Sequence, residues 1–378
     1  MTVHIPPWPP SAQALRASFD AVPPYTVGLE DEVMLLGPED HELVARAEEV
    51  LALVDGDPRF KLEMPASQVE IVTPACPSVD QAVAALRDGR RTLVERTRGL
   101  VRLAAAGVHP SSPGVGELNQ LDRYDRTIQE YGIRAQRQLV CALQVHVSVG
   151  DADAALAVYN AARSYLPLLA ALAANAPFYE GHDIGLASAR PKLAELLPRQ
   201  GVPPRILSWE AYAEAFRWGF WSGAFPDPRR WWWELRLHPA FGTLEFRVPD
   251  AQSTVDDAAA VAGLIQALVV WLVERRHGGE RLPEAPTWKI EENRWLACRD
   301  GVQGDMVDLA TGNSTPTSVL LSELIAALQP VAARLGSERA LERASEMVEV
   351  NGALAQRRVA LQRGVGAVAP WLSGRFLE

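Results

Sequence analysis

Trp233-Glu-Leu-Arg236 and Thr243-Leu-Glu-Phe-Arg247 flank His238-Pro-Ala-Phe-Gly242, and the reading of this stretch decides the fold. Taken with a period of two, Trp233, Leu235, Leu244, Phe246 and Val248 share one face. Glu234, Arg236, Thr243, Glu245 and Arg247 share the other. The intervening Pro and Gly are turn chemistry, so the pair predicts an antiparallel hairpin with a greasy side and a charged side. Surface strands usually carry mixed Thr, Ser and Lys on the solvent side, not matched carboxylates and guanidinium groups.

Working outward, the same alternation recurs three times. In 26–36, Val27, Leu29, Val33 and Leu35 oppose Gly28, Glu30 and Glu32. In 68–72, Val69 and Ile71 oppose Gln68 and Glu70. In 139–149 the odd positions are apolar or soft, and the even ones include Gln144, His146 and Ser148. Four such segments predict one curved antiparallel sheet, apolar on one side, whose polar side is an open funnel for chemistry.

Helical patterns surround these strands. We expect helices over 42–54, 79–106 (Ser78 as N-cap, Gly107 as stop), 151–176, from 254 to before Gly278, 318–335 and 338–363. The segments 108–132, 182–208 and 219–229 read as irregular, and loops of that length often serve binding. The predicted class is α+β: one domain over 1–378, with sheet-building motifs in about 25–250 and a helical part over about 254–365.

Composition narrows the function classes. The net charge of −10 argues against a general nucleic-acid binder. Cys76, Cys141 and Cys298 are odd in number and far apart, which excludes a disulfide framework or a Cys-x-x-Cys zinc pattern and suits a reducing cytoplasm. The first ten residues lack the basic start and apolar core of a signal peptide. The apolar run 261–273 is shorter than the roughly 20 residues that span a bilayer, so a buried helix is expected there and no membrane partner.

The charged face carries the site chemistry. Glu30 and Glu32, two apart on a strand, point the same way about 7 Å apart. An isolated pair of this kind is usually solvated, but here Glu70, His146 and Glu245 occupy equivalent strand positions. Like charges brought to ~5 Å repel by about 3 kcal/mol per pair at an effective dielectric of 20. Such a cluster needs cations, and oxygen ligands with one imidazole suit Mg²⁺ or Mn²⁺ better than zinc. Glu63 lies seven residues from Glu70, before Met64-Pro65, so only a bend could bring both to one metal. Arg236 and Arg247 either neutralise their neighbouring acids or serve a transferring phosphoryl group.

The chain resembles the carboxylate–amine ligases related to the type 2 glutamate–cysteine ligases. The resemblance rests on Gly28-Leu-Glu-Asp-Glu32, Glu63, Gln68-Val-Glu70 with Thr73, 141–147, Asn175-Ala-Pro-Phe178, 181–190 and 198–203. Trp233 to Pro239, Gly242 to Arg247, Asp250-Ala-Gln252 and Glu292-Asn-Arg-Trp295 complete it. It implies a glutamine-synthetase-like catalytic domain, with long helices on the apolar face of the sheet. It also implies that Glu30, Glu32, Glu63, Glu70, His146 and Glu245 hold Mg²⁺ or Mn²⁺ for ATP. Arg247, Arg236 and Glu245 would be catalytic, and Arg247, Arg236, Asn293 and Arg294 would bind ATP. Arg190, Gln144, His182 and Asn175 would face the substrates, small carboxylates and amines such as amino acids; a homo-oligomer stays open.

The implied activity is ATP-dependent formation of an amide of the γ-glutamylcysteine type through an acyl phosphate, releasing ADP and phosphate. A small-molecule kinase of the same fold and a silent ATP-binding homologue are the alternatives. Ala142 and Gln144 stand where such proteins carry the Gly and first His of Gly-x-His-x-His, and His182 and Ile184 replace an Arg and a Thr. The metal and phosphate positions are thus kept while positions of the substrate pocket are changed.

Overall fold

The computed structural model describes residues 9–227 and 230–378. Residues 1–8, which carry most of the leader reading, and 228–229 of the third irregular segment lie outside the described residues.

The predicted alternation builds a seven-stranded antiparallel sheet. Its strands are β1 (Val27–Leu36), β2 (Phe60–Leu62), β3 (Gln68–Val72), β4 (Arg102–Ala104), β5 (Leu143–Ser148), β6 (Leu235–His238) and β7 (Thr243–Phe246). The spatial order is β2-β3-β1-β5-β7-β6, and β4 pairs with β1 at Met34–Leu36. Register aligns the acids across strands: Glu32 lies opposite Glu70, Glu30 opposite Gln144, and Gly28, His146, Glu245 and Arg236 form one row. At the β6–β7 turn, the Gly242 amide donates to the His238 carbonyl at 2.9 Å with φ +65°. A Cβ there would lie 2.1 Å from the Ser18 carbonyl oxygen, so only glycine fits.

The opposite face is greasy. Leu29, Val33, Val69, Val145, Leu235 and Phe246 are buried in one core cluster. Helices Val79–Arg96, Ala152–Ala162 and Val255–His277 pack against it. By length and composition Val255–His277 and Thr317–Leu335 could cross a bilayer, but 83% of the apolar window of the first is buried in this core.

Several helix boundaries differ from expectation for identifiable reasons. The helix expected over 79–106 ends at Arg96; Gly99 turns the chain at φ +83° and the Ala-rich remainder returns as β4. The helix expected over 151–176 breaks into Ala152–Ala162, a 3₁₀ turn Arg163–Tyr165 and Leu166–Leu172, with Pro167 opening the last. The 338–363 pattern divides into Glu338–Glu349 and Gly352–Arg363, where Asn351 caps the second by accepting from the Leu354 amide. The first short helix is confined to Ala47–Leu53, because Leu43 bridges Leu36 of β1. All three irregular segments contain helical residues: Asp122–Tyr131, Arg190–Ala194 and, at the start of 219–229, the end of helix Trp209–Trp221.

Asp31 and Arg90 place an ion pair on the apolar side. Asp31 alternates with Glu30 and Glu32 and so points into the core, where it and Arg90 are both fully buried. Arg90 donates from Nε to Asp31 at 2.9 Å, from Nη1 to the Phe376 carbonyl at 3.1 Å and from Nη2 to the Gln252 carbonyl at 2.9 Å. Burial pushes the Asp31 carboxyl up, and the adjacent Arg90 charge pulls it back. The pair joins the sheet, the Val79–Arg96 helix and the chain's last turn. Arg90→Met should lower unfolding free energy by about 3–5 kcal/mol in urea titration, because it strands a buried carboxylate. Adding Asp31→Leu should recover much of that loss; no recovery would mean the pair is not the cause.

Candidate active site

The polar face floors a cavity of about 450 Å³. Glu30, Glu32, Glu63, Glu70, Gln144, Arg190, Arg236 and Arg247 line it. Glu63 arrives through the bend that spacing alone required: β2 ends at Leu62, and the Gln68 amide turns back to the Pro65 carbonyl. Gln68, Tyr124, Arg126, Thr127, Gln138, Arg230 and Trp232 complete much of the wall. Of these only Gln68 could have been read from alternation; Tyr124, Arg126 and Thr127 come from helix Asp122–Tyr131, Gln138 from the turn before β5, and Arg230 and Trp232 from the stretch before β6, and their placement over the sheet is a tertiary fact.

Glu30, His146 and Glu245 converge, their ligand atoms lying within 4.8 Å of one another. His146 is anchored through Nδ1 to Thr243 Oγ1 at 2.9 Å. Its buried Nε2 makes no hydrogen bond and lies 3.4 Å from Glu30 Oε1. A ring nitrogen held this way, facing two carboxylates, is the arrangement a divalent cation requires. The oxygen-rich donor set fits Mg²⁺ or Mn²⁺.

Two guanidinium groups back this cluster. Arg247 donates from Nη1 to Glu245 Oε1 at 2.6 Å, and Arg236 Nε bonds the other oxygen. Each carboxylate oxygen keeps a further lone pair. Burial would raise the Glu245 carboxyl, but Arg236 and Arg247 outweigh it and hold the group well below the usual range. Burial likewise opposes ionisation of Glu30, yet neighbouring His146 brings it down to about 2. Both acids are therefore charged and ready to ligate at neutral pH.

Glu32 is differently placed. Its oxygens accept from the Ala142 amide at 2.6 Å and from Gln144 Nε2 at 2.9 Å, while Gln144 Oε1 accepts from Arg247. Burial raises its carboxyl against the pull of Arg190 and Arg247. Glu70 is pushed well above the usual range by burial, then by Glu30 and Glu63. Glu32, Glu63 and Glu70 thus share the cavity but not the three-residue cluster.

Other expected residues serve the scaffold. Asn175 is fully buried, donates to the Ala251 carbonyl and Ser253 Oγ, each within 3.0 Å, and does not line the cavity. His182 sits exposed in a two-residue strand away from the cavity wall. Asn293 exchanges hydrogen bonds with the Val307 backbone at 2.7 and 2.8 Å, pinning a small hairpin. Arg294 grips Glu234 through Nε at 2.9 Å and through Nη2. Neither residue lines this cavity, and Glu234, paired with Arg294, lies outside it as well. Arg190 does line the cavity, but its Nη groups donate to the Val248 and Arg247 carbonyls.

The comparisons with known proteins agree with this architecture. The family model described as glutamate–cysteine ligase family 2 matches residues 26–367. A Rubrobacter xylanophilus protein named "Putative glutamate--cysteine ligase 2-3" is 38% identical over 93% of this chain and 96% of its own length. A similarly named Thermobifida fusca protein is 32% identical over 90% of this chain and 87% of its own. Among solved structures, glutamate–cysteine ligase from Francisella tularensis in complex with AMP superposes with a TM-score of 0.67. That match has 12% identity and covers 94% of this chain and 89% of the other. A bifunctional glutathione synthetase from Pasteurella multocida gives 0.66 at 14% identity, covering 97% of this chain and 53% of the other. These two likenesses speak for the fold.

Two outcomes follow for cation binding. Thr243→Val frees the His146 ring and should weaken Mn²⁺ binding about 10-fold or more in calorimetry, without unfolding the chain. Because Glu70 holds a proton above the ordinary carboxylate range, cation affinity should rise with pH through that raised value and fall below it. Binding should release protons, measurable in buffers of different ionisation enthalpy, and Glu70→Gln should remove that share of the release.

Proposed function

Because the chain belongs to glutamate–cysteine ligase family 2, we propose that it is an ATP-dependent carboxylate–amine ligase acting in the cytoplasm. In this reading the whole chain is one catalytic domain. A small acid, amino-acid-like in size, is phosphorylated on its carboxylate by ATP; a primary amine then attacks the acyl phosphate carbon. Phosphate leaves and an amide forms, with ADP as the other product.

The observation that carries the reading is the cluster of Glu30, His146 and Glu245, with an unpartnered imidazole nitrogen and two guanidinium groups behind it. These three residues would hold a divalent cation, with Glu32, Glu63 and Glu70 available to others. When bound, the cation neutralises phosphate oxygens and substrate carboxylate. The chain's own groups do the rest. Arg236 and Arg247 are held by Glu245 along the cavity wall, oriented before any ligand arrives, so their charge meets the phosphoryl group without reorganisation. Gln144 holds Arg247 to Glu32 and so fixes that guanidinium against the cavity floor. The surrounding walls of helix Asp122–Tyr131 and of Pro226, Asp227, Arg230 and Trp232 limit water, which would otherwise hydrolyse an activated acid.

Glu30 is the cleaner residue to test, since Glu245 also anchors two arginines whose release would disturb the core. Glu30→Gln should reduce ADP release by about 10³-fold or more while thermal melting stays close to wild type. Screening amino acids in pairs, with products identified by mass, should give an amide in step with ADP. A stable phosphorylated acid would make the protein a kinase, and Mg·ATP binding without turnover across the panel would make it a silent binder.

A further inference from the structure

Helix Trp209–Trp221 is anchored on one side and bare on the other. Its inner side buries Trp209, Tyr212, Ala213 and Phe216 in the main core, and the Tyr212 hydroxyl donates to the Leu237 carbonyl of β6 at 2.7 Å. On its outer side Ala211, Glu214, Trp218 and Trp221 are all exposed. They follow one another by three, four and three residues, the seam spacing with which one helix packs along another. Trp218 and Trp221 are 60 and 79% exposed, and Leu207, just before the helix, is 71% exposed. Single apolar residues on a surface need no explanation, but the two indoles alone leave roughly 300 Å² of contiguous apolar surface in water.

The patch is held in place before any partner arrives. Gly219, on the buried side, lets Phe225 lie against the helix: a Cβ there would come within 2.0 Å of that ring. Trp218 in turn sits 6.2 Å from Phe225. A surface fixed in this way loses little freedom on association.

Charge is divided along the outer side. Glu210 and Glu214 occupy its first half and Arg217 its second. Arg217 bonds one oxygen of Glu214, Oε2, through Nε and Nη2, so Glu214 Oε1 and Arg217 Nη1 have no hydrogen-bond partner among the described residues. A second helix of the same kind, laid antiparallel across a two-fold axis near position 216, answers both halves. Trp221 then meets the partner's Ala211, large against small, and Arg217 meets the partner's Glu214, each contact made twice by symmetry. Parallel pairing would set guanidinium against guanidinium. A lipid surface fits less well, because the helix has no lysine and its three charged residues are two acids and one base, in a chain of net charge −10. The two indole patches bury roughly 600 Å² between them. Leu207, Glu210, Ala211, Glu214 and Arg217 carry the contact toward the ~1,200 Å² at which specific interfaces begin.

We propose that this face is a homodimer interface, in which helices Trp209–Trp221 of two copies of the chain pack antiparallel about a two-fold axis. The proposal goes beyond the ligase reading and stands whichever reaction the cavity runs.

The test is analytical ultracentrifugation of the full chain from about 1 to 100 µM, a range chosen because dimer population depends on concentration. Wild type should reach twice the chain's 41.3 kDa. Trp221→Glu should raise the dimer dissociation constant about 30-fold or more, as expected for a buried aromatic anchor. Arg217→Glu should also weaken the dimer, and adding Glu214→Arg should restore it, because the exchanged charges again meet across the axis. If Trp221→Glu does not fold, the charge variants decide. A wild type that stays monomeric at the highest concentration overturns the proposal, as does a dimer that neither Trp221→Glu nor Arg217→Glu weakens. Failure of the double exchange to rescue Arg217→Glu overturns the antiparallel pairing. A monomer that pellets with phosphatidylserine vesicles would assign the patch to a membrane surface instead.

Discussion

Three consecutive carboxylates on the central strand govern the structure. Glu30, Asp31 and Glu32 lie in β1, which pairs with β3, β4 and β5, and strand geometry must send the middle one to the opposite face. A sheet so built has to compensate negative charge on both sides at once. Below, the answer is Arg90, fully enclosed and satisfied by Asp31 and two carbonyls. Above, Arg236, Arg247 and Gln144 take part of the load, and His146 Nε2 is left facing acids. The lower side is closed and structural, whereas the upper side is open to a cavity. The division between scaffold and chemistry thus runs through one backbone.

Much of this was legible in the chain. Period-two alternation located β1, β3, β5 and the β6–β7 hairpin, and it assigned Glu30, Glu32, Glu70, Gln144, His146, Arg236 and Glu245 to the same face. That works because a one-residue slip would bury every acid, so the register is strongly specified. Glu63 needed more than spacing, because its route to the cavity depends on the turn at Pro65. Asp31 carries no sequence signal of its own, because its partner Arg90 lies 59 residues away on a helix. Ala-rich runs misled in another way: 101–106 has helical composition, but Gly99 and the free edge of β1 decide for a strand.

The motif residues that resemble a known family divide by physical role. Glu30, His146 and Glu245 converge, with Glu30 on the cavity wall and the other two buried behind it. Asn175, Glu234, Asn293 and Arg294 instead tie segments together: Asn175 to 251–253, Asn293 to Val307, and Arg294 to Glu234. Both sets lie in short motifs of the sequence, and nothing in a string of letters separates a ligand from a brace. Burial with a complete set of partners does. The wall residues Arg230 and Trp232 belong to neither set, being supplied by segments that only the tertiary fold brings over the sheet.

Gln144 gives the site a property that an imidazole at the same place would not. Its carboxamide presents a donor to Glu32 and an acceptor to Arg247. Rotating the amide by half a turn would set oxygen against oxygen and NH₂ against guanidinium, so the group has a single orientation and acts as a keyed coupling. It also has no proton to gain or lose across the physiological range. The link between the acid of β1 and the arginine beyond β7 therefore does not itself titrate, whereas the carboxylates it touches do.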